Sequence, residues 1–86
     1  MKEIRYSLHC LQKISILSQH KFDIEIEFVD NAIKNPDLLS IGKNNRFIAQ
    51  KEIDENHILR VIYEENEYEI FVVTIYPGRK VRYEKN

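Results

Sequence analysis

The chain has 86 residues, of which 43% are hydrophobic and 31% charged, with two glycines and two prolines. This length and composition predict one globular domain and exclude a disordered, collagen-like or low-complexity chain. Thirteen Lys and Arg against fourteen Asp and Glu give a net charge of −1, which excludes a protein that coats nucleic acid by charge alone. Domains this small bury only about 60% of their unfolded surface, so a partner chain or a homo-oligomer would add stability.

The single cysteine and the first residues of the chain indicate where in the cell the protein is expected. Cys10 is the single cysteine and has no internal disulfide partner, whereas small secreted domains usually carry several bridges. The first five residues are charged without an apolar stretch behind them, and the longest wholly apolar run is residues 71–73. We therefore expect a cytoplasmic protein without a signal peptide or a membrane span.

Two helices are predicted in the first half of the chain. Residues 7–20 place their apolar side chains in one half of a helical wheel, with Ser7 as N-cap. Residues 24–35 begin with a strand-like alternation, but over the whole window the apolar residues fall in one arc of a helix. Pro36 ends this second helix, because the residue before a proline is disfavoured in the α region.

The second half predicts strands. Residues 37–45 are expected to form a loop, and residues 46–53, 57–64 and 68–76 read as three strands whose short connections allow only antiparallel neighbours. Pro77 and Gly78 are expected to stop the last strand. The predicted fold is α+β, with both helices on one face of a three-stranded antiparallel meander to which the extended N-terminus can add a short strand. The residues expected in its core are Leu11, Ile14, Leu17, Phe28, Ile33, Val61 and Val73.

Sequence motifs for cofactors are absent. With glycines only at positions 42 and 78, the chain has neither a Gly-rich phosphate loop nor a dinucleotide fingerprint. The histidines at 9, 20 and 57 lack metal-ligand spacing, and no Ser/His/Asp or Cys/His signature is present. We therefore expect no cofactor and no metal. The charge is uneven, since residues 77–86 hold four cations and one acid, whereas residues 1–76 hold nine cations and thirteen acids.

Short segments distributed over nearly the whole chain carry a resemblance. They are residues 6–10 (YSLHC), 32–36 (AIKNP), 46–51 (RFIAQK), 59–64 (LRVIYE), 73–77 (VTIYP) and 82–83 (RY). In these segments the chain resembles a family of small prokaryotic domains that are similar to the RelE/ParE superfamily of toxins from toxin–antitoxin pairs. The resemblance implies helices followed by a curved antiparallel sheet, an antitoxin protein as partner, and the ribosome or RNA as target. In this family Cys10 would be a small buried replacement for alanine.

The resemblance also implies candidate catalytic residues for metal-free RNA cleavage. Arg60, Arg79 and Arg82 would be the cations that stabilise the phosphate, and Tyr83 or His9 would be the acid or base. Each has a plain structural alternative: a solvated or paired arginine for Arg60, a disordered basic tail for residues 79–83, and a structural hydrogen bond for His9. Arg46, Gln50 and Glu52 alternate on the first meander strand and can reach the surface that carries Arg60, although ordinary edge-strand charges explain them too.

Two functions follow as expectations. One is a toxin-like endoribonuclease that inhibits translation and is held inactive by an antitoxin. The other is a non-catalytic protein-binding module, either a gyrase-type inhibitor or a degenerate family member, which the near-neutral charge favours. An enzyme should gather Arg60, Arg79, Arg82 and Tyr83 into one concavity, whereas a binding module should present a contiguous apolar patch.

Overall fold

The computed structural model describes residues 2–20 and 22–83. Over these residues the fold is α+β, as predicted, with three helices and a five-stranded mixed sheet. In chain order the elements are β1 (Glu3–Tyr6), α1 (Leu8–Gln19), α2 (Ile26–Lys34), β2 (Leu38–Ile41), a 3₁₀ turn (Lys43–Asn45), β3 (Phe47–Glu52), β4 (His57–Glu65), β5 (Glu69–Arg79) and α3 (Lys80–Tyr83). None of the described helices is long and apolar enough to cross a membrane.

Both predicted helices are present. The Ser7 side chain accepts a hydrogen bond from the Cys10 N–H (2.9 Å), and its hydroxyl donates to the Val73 carbonyl (2.6 Å). The N-cap therefore also attaches the start of α1 to β5. Residues 26–34 are a helix and not a strand, because the helical arc buries Val29, Ala32 and Ile33 together.

The three predicted strands form the antiparallel meander β3–β4–β5, but the sheet is larger than predicted. Its strand order is β1-β5-β4-β3-β2, with β1 parallel to β5 and every other pair antiparallel. The arrangement of two helices on an antiparallel meander was therefore incomplete. It lacked the pairing of β1, the edge strand β2 and the terminal helix α3.

Residues 37–45 are not only a loop. Asn44 and Asn45 adopt φ values of 59° and 58°, a left-handed conformation that asparagine tolerates better than most residues. This turn reverses the chain so that β2 pairs antiparallel with β3. Strand β2 was missed because its four residues, three apolar and one polar, are too few to show the alternation of a strand.

The expectation that Pro77 and Gly78 end the last strand was wrong, since β5 continues to Arg79. Strand β1 pairs with β5 only as far as Val72, so one edge of β5 is free beyond that residue. A proline on a free edge removes no ladder hydrogen bond. Strand β5 therefore continues through Pro77 without losing a backbone hydrogen bond to β4.

The hydrophobic core lies between the helices α1 and α2 and one face of the sheet. Of the residues predicted there, Leu17, Ile33 and Val61 are buried, and Ile14 and Phe28 pack against the core while partly exposed. Leu11 is 41% exposed, because it flanks the contact face of α1 that Cys10 and Leu17 define. Val73 is only half-buried. It is the extra residue of β5 at an irregularity in the β4–β5 register, where Ile62 pairs with Thr74 and Tyr63 with Val72.

Candidate functional site

The candidate site lies on the face of the sheet opposite α1 and α2, which we call the open face. Along β4 the side chains alternate: Leu59, Val61 and Tyr63 belong to the hydrophobic core, so Arg60 points to the other side. Gln50 of β3 and Tyr76 of β5 are the register partners of Arg60. Three neighbouring strands therefore place these three side chains side by side on the open face.

Arg60 is held by uncharged partners. Its Nε donates a hydrogen bond to the Tyr76 hydroxyl (2.9 Å), and its Nη1 donates to Gln50 Oε1 (3.1 Å). Gln50 is the one buried polar or charged residue of the described chain, at 2% exposure, and Arg60 itself is half-buried. A buried amide that accepts from a guanidinium fixes the position of that group without neutralising its charge.

Tyr83 completes the site from the C-terminal helix α3. The Arg60 guanidinium carbon lies 4.4 Å from the centroid of the Tyr83 ring and 5.7 Å from that of Tyr76, both within the range of cation–π contact. Gly78 leaves room for the ring, because a Cβ at this position would lie 2.3 Å from Tyr83 Cε2. Glycine is therefore required at position 78 for Tyr83 to reach Arg60.

The electrostatics of the open face favour an anion. Among the described residues, Arg60, Arg79 and Arg82 make no ion pair. The acids of neighbouring strands are already engaged, since Glu52 pairs with Lys80 (2.9 Å) and Glu64 pairs with Arg46 (2.9 Å). Arg60 thus carries a positive charge, is partly withdrawn from water and makes no ion pair with a carboxylate of residues 2–20 or 22–83.

The structure brings some of the predicted site residues together and leaves others apart. Arg82 joins Arg60 and Tyr83, with its guanidinium carbon 6.0 Å from the Tyr83 ring centroid. Arg79 is the register partner of His57 and lines a separate cavity of about 390 Å³ with Asn56 and Lys80, among others. His9 is exposed on α1, in the layer on the other side of the sheet. One concavity containing all four predicted residues of the enzyme hypothesis is therefore not formed.

Other features expected from the sequence are placed as follows. Gln50 does reach the surface of Arg60, whereas Arg46 and Glu52 are held in ion pairs with Glu64 and Lys80. Residues 79–83, considered above as a disordered tail, form the end of β5 and the helix α3, whose Tyr83 ring lies over Gly78. Tyr76 was missed. The sequence shows only that a tyrosine lies in the last strand. The pairing of Tyr76 with Arg60 depends on the turn between β4 and β5 and on the register shift at Ile62 and Tyr63, which the sequence does not show.

Two ionisable groups outside the Arg60 site have shifted pKa values. Burial raises the pKa of the Cys10 thiol to about 11, so this side chain is a packing residue and not a nucleophile. The pKa of Asp54 is lowered, first by the hydrogen bond from the Asn56 N–H and then by that of the His57 ring, whose Nδ1 lies 3.0 Å from Asp54 Oδ1. Within the described ranges, no group of three His, Cys, Asp or Glu side chains is arranged to hold a metal ion.

Comparison with known proteins finds no similarity to report: no protein-family model, no curated protein and no solved structure matches the chain. The resemblance to RelE/ParE-type toxins therefore stays a prediction from the sequence. The function has to be argued from the geometry of the open face.

Proposed function

We propose that this chain is a toxin-like component of a toxin–antitoxin pair, similar to RelE/ParE proteins, and that its open face binds the phosphodiester backbone of RNA. The observation that carries the proposal is the state of Arg60. It is half-buried, held by the neutral Gln50 and Tyr76, stacked on Tyr83, and has no carboxylate partner among the described residues. A phosphate supplies the anion that this arrangement lacks.

The aromatic rings support a nucleic-acid ligand over a free anion. Tyr76 and Tyr83 flank the Arg60 guanidinium, and Arg82 lies near the Tyr83 ring. Single-stranded RNA is bound in general by cations that contact the backbone and by aromatic side chains on which bases stack. Both kinds of group are present here within one contiguous surface.

The same residues offer a chemistry for metal-free cleavage. The 2′-hydroxyl would give its proton to water as its oxygen bonds to the neighbouring phosphorus, and the bond from phosphorus to the 5′-oxygen would break, so that a 2′,3′-cyclic phosphate forms. Arg60 and Arg82 would stabilise the negative charge that develops on the phosphate oxygens. The Tyr76 hydroxyl accepts from Arg60 Nε, which leaves its own proton available for the departing 5′-oxygen, and Tyr83 is the alternative acid. His9 has no part in this mechanism, because it lies in the helical layer.

The structure shares with the predicted arrangement the order in which α1 and α2 precede the meander β3–β4–β5, whereas its five-stranded mixed sheet departs from that arrangement. On this proposal the parallel strand β1, the edge strand β2 and the short helix α3 are additions around that unit. An antitoxin would hold the protein inactive in the cytoplasm, and the ribosome or its messenger RNA would be the target.

A second candidate is a non-catalytic protein-binding module of the gyrase-inhibitor type. Two exposed leucines on α1 favour it: Leu8 is 71% and Leu11 41% exposed, so the helical layer keeps apolar surface for a protein partner. The net charge of −1 also favours protein over ribosomal RNA as target.

Induced expression in a bacterial host distinguishes the two functions. Translation and replication are followed separately, by incorporation of labelled amino acids and labelled thymidine, for the native chain and for Arg60→Gln. The proposal predicts that translation falls first and that Arg60→Gln relieves the inhibition, whereas the exposed Arg5→Gln, which removes the same charge from β1, does not. An arrest of replication with continued translation would establish the second candidate instead.

A further inference from the structure

The two edges of the sheet differ in how they are protected. At the β1 edge Lys2, Glu3 and Arg5 supply charges, as is usual on strands that must not pair with another chain. At the β2 edge Leu38 and Leu39 are each 50% exposed and Ile41 is 69% exposed. Among the described strands, β2 pairs only with β3 and is last in the sheet order, so none of them pairs with the other side of its backbone.

The hydrogen-bond pattern shows which backbone groups are unpaired. The Gly42 N–H donates to the Arg46 carbonyl (2.7 Å), so Gly42 faces β3. Because successive residues of an extended strand alternate, Ser40 also faces β3, whereas the N–H and C=O groups of Leu39 and Ile41 point outward from the sheet. By register with Ala49 and Phe47, the side chains of Leu39 and Ile41 lie on the helix-covered face.

We propose that β2 pairs antiparallel with β2 of a second copy of this chain, about a two-fold axis at Ser40. This register matches outward groups with outward groups, and in it both outward-facing residues of β2, Leu39 and Ile41, pair with residues of the second β2. Leu39 then lies opposite Ile41 of the second copy and exchanges both backbone hydrogen bonds with it. Two such pairs bring four exposed apolar side chains into contact on one face.

Charge complementarity supports a second copy as the occupant. In this register Lys43, just after β2, which makes no ion pair among the described residues, would lie near Asp37 of the second copy, just before β2, and the two-fold axis produces this approach twice. Asp37 Oδ2 accepts a hydrogen bond from the Glu52 N–H (2.8 Å) and Oδ1 lies 3.9 Å from Lys51, so Lys43 would be a second cation near this carboxylate. Asp37 and Lys43 are both exposed. The paired strands join the two sheets into one, with the open faces of both copies on the same side.

The proposal is tested first by the mass in solution. A four-residue strand pair is at the small end of specific interfaces, so sedimentation equilibrium is measured over a wide range of concentration. We expect the mass to rise from 10.4 kDa towards twice that value. Ile41→Lys should weaken association about tenfold or more by placing a charge against Leu39. Ile16→Lys, at a residue of α1 that is 49% exposed, should leave association unchanged.

Disulfide trapping tests the register. Ser40 would face Ser40 of the second copy as a non-hydrogen-bonded pair about 4.5 Å apart between Cα atoms, a distance that a disulfide spans. With diamide, which takes up the two electrons and two protons of the thiols, Ser40→Cys should form a covalent dimer. Leu38→Cys should not, because the two Leu38 residues lie at opposite ends of the paired strands, and Cys10 is fully buried. A protein that stays monomeric at every concentration, or equal trapping of both variants, would overturn the proposal.

Discussion

The two faces of the sheet are formed by alternate residues of the same strands, but they differ in composition. In β4, Leu59 and Val61 are fully buried beneath α1 and α2, whereas Arg60 between them carries a charge to the open face. The helix-covered face is apolar and closely packed. On the open face, hydrogen-bonded polar and aromatic groups surround the Arg60 cation, and Ile58, two residues before Arg60, is also fully buried. We therefore expect stability to come mainly from the residues of the helix-covered face and, on our proposal, ligand binding from those around Arg60.

The largest effect on the free energy of unfolding is expected at a core residue of β4. Leu59→Ala removes a fully buried side chain and should lower the free energy of unfolding by about 2–5 kcal/mol. Urea denaturation measures the change. Leu8→Ala, at a residue that is 71% exposed, is the control and should stay within about 0.5 kcal/mol of the native chain. A Leu59→Ala protein as stable as the Leu8→Ala protein would show that the helix-covered face is not the source of stability.

A smaller effect on the free energy of unfolding is expected at Gly78, which leaves room for the Tyr83 ring on the open face. Gly78→Ala places a methyl group against the Tyr83 ring and should destabilise the chain by about 1–3 kcal/mol, because the ring must leave Arg60. In a Tyr83→Ala background the same change should cost little, so the double-mutant cycle should give a clear coupling energy. Gly42→Ala is the control, since its nearest neighbour is the flexible Ile48 Cδ1 at 2.9 Å. Additive effects of the two replacements would mean that Tyr83 does not lie over Gly78.

The smallest effect is expected for the cations near the C-terminus, and it concerns the salt dependence of RNA binding. If Arg79 and Arg82, which make no ion pair among the described residues, each neutralise a phosphate of single-stranded RNA, replacing both with Ala should flatten the slope of log affinity against log salt by about 1.4. Replacing Lys13 and Lys34 on the helices removes the same number of cations, is the control and should change the slope little. An unchanged slope for the double variant would move the contact to Arg46 and Arg60 on the sheet.

The sequence predicted the parts of the molecule that depend on periodicity. The apolar arcs of α1 and α2, the end of α2 before Pro36 and the three meander strands follow from the spacing of side chains. Strand β2 could not be found, because its four residues pair with β3 only through the left-handed turn at Asn44 and Asn45. A local reversal of this kind leaves no periodic signal.

The candidate site was predictable only in part. Arg60 stands out as a charge within an apolar strand, and its position away from the helices follows from alternation. Its partners Gln50 and Tyr76 depend on the register across two strand pairs, and a register shift occurs at Ile62 and Tyr63. The approach of Tyr83 depends on space above Gly78, which is a tertiary property. Single residues were therefore predictable, whereas their contacts required the structure.

We expect Arg60 to present its charge to a phosphate of RNA on the open face. Fluorescence anisotropy of a labelled single-stranded RNA at low salt tests it most directly, with Arg60→Gln compared against Arg5→Gln, which removes the same charge at an exposed position of β1. Loss of a charge-assisted contact should weaken binding about tenfold or more for Arg60→Gln and hardly at all for Arg5→Gln. Equal affinities for the native chain and a folded Arg60→Gln variant, or no binding by the native chain, would contradict phosphate binding at Arg60.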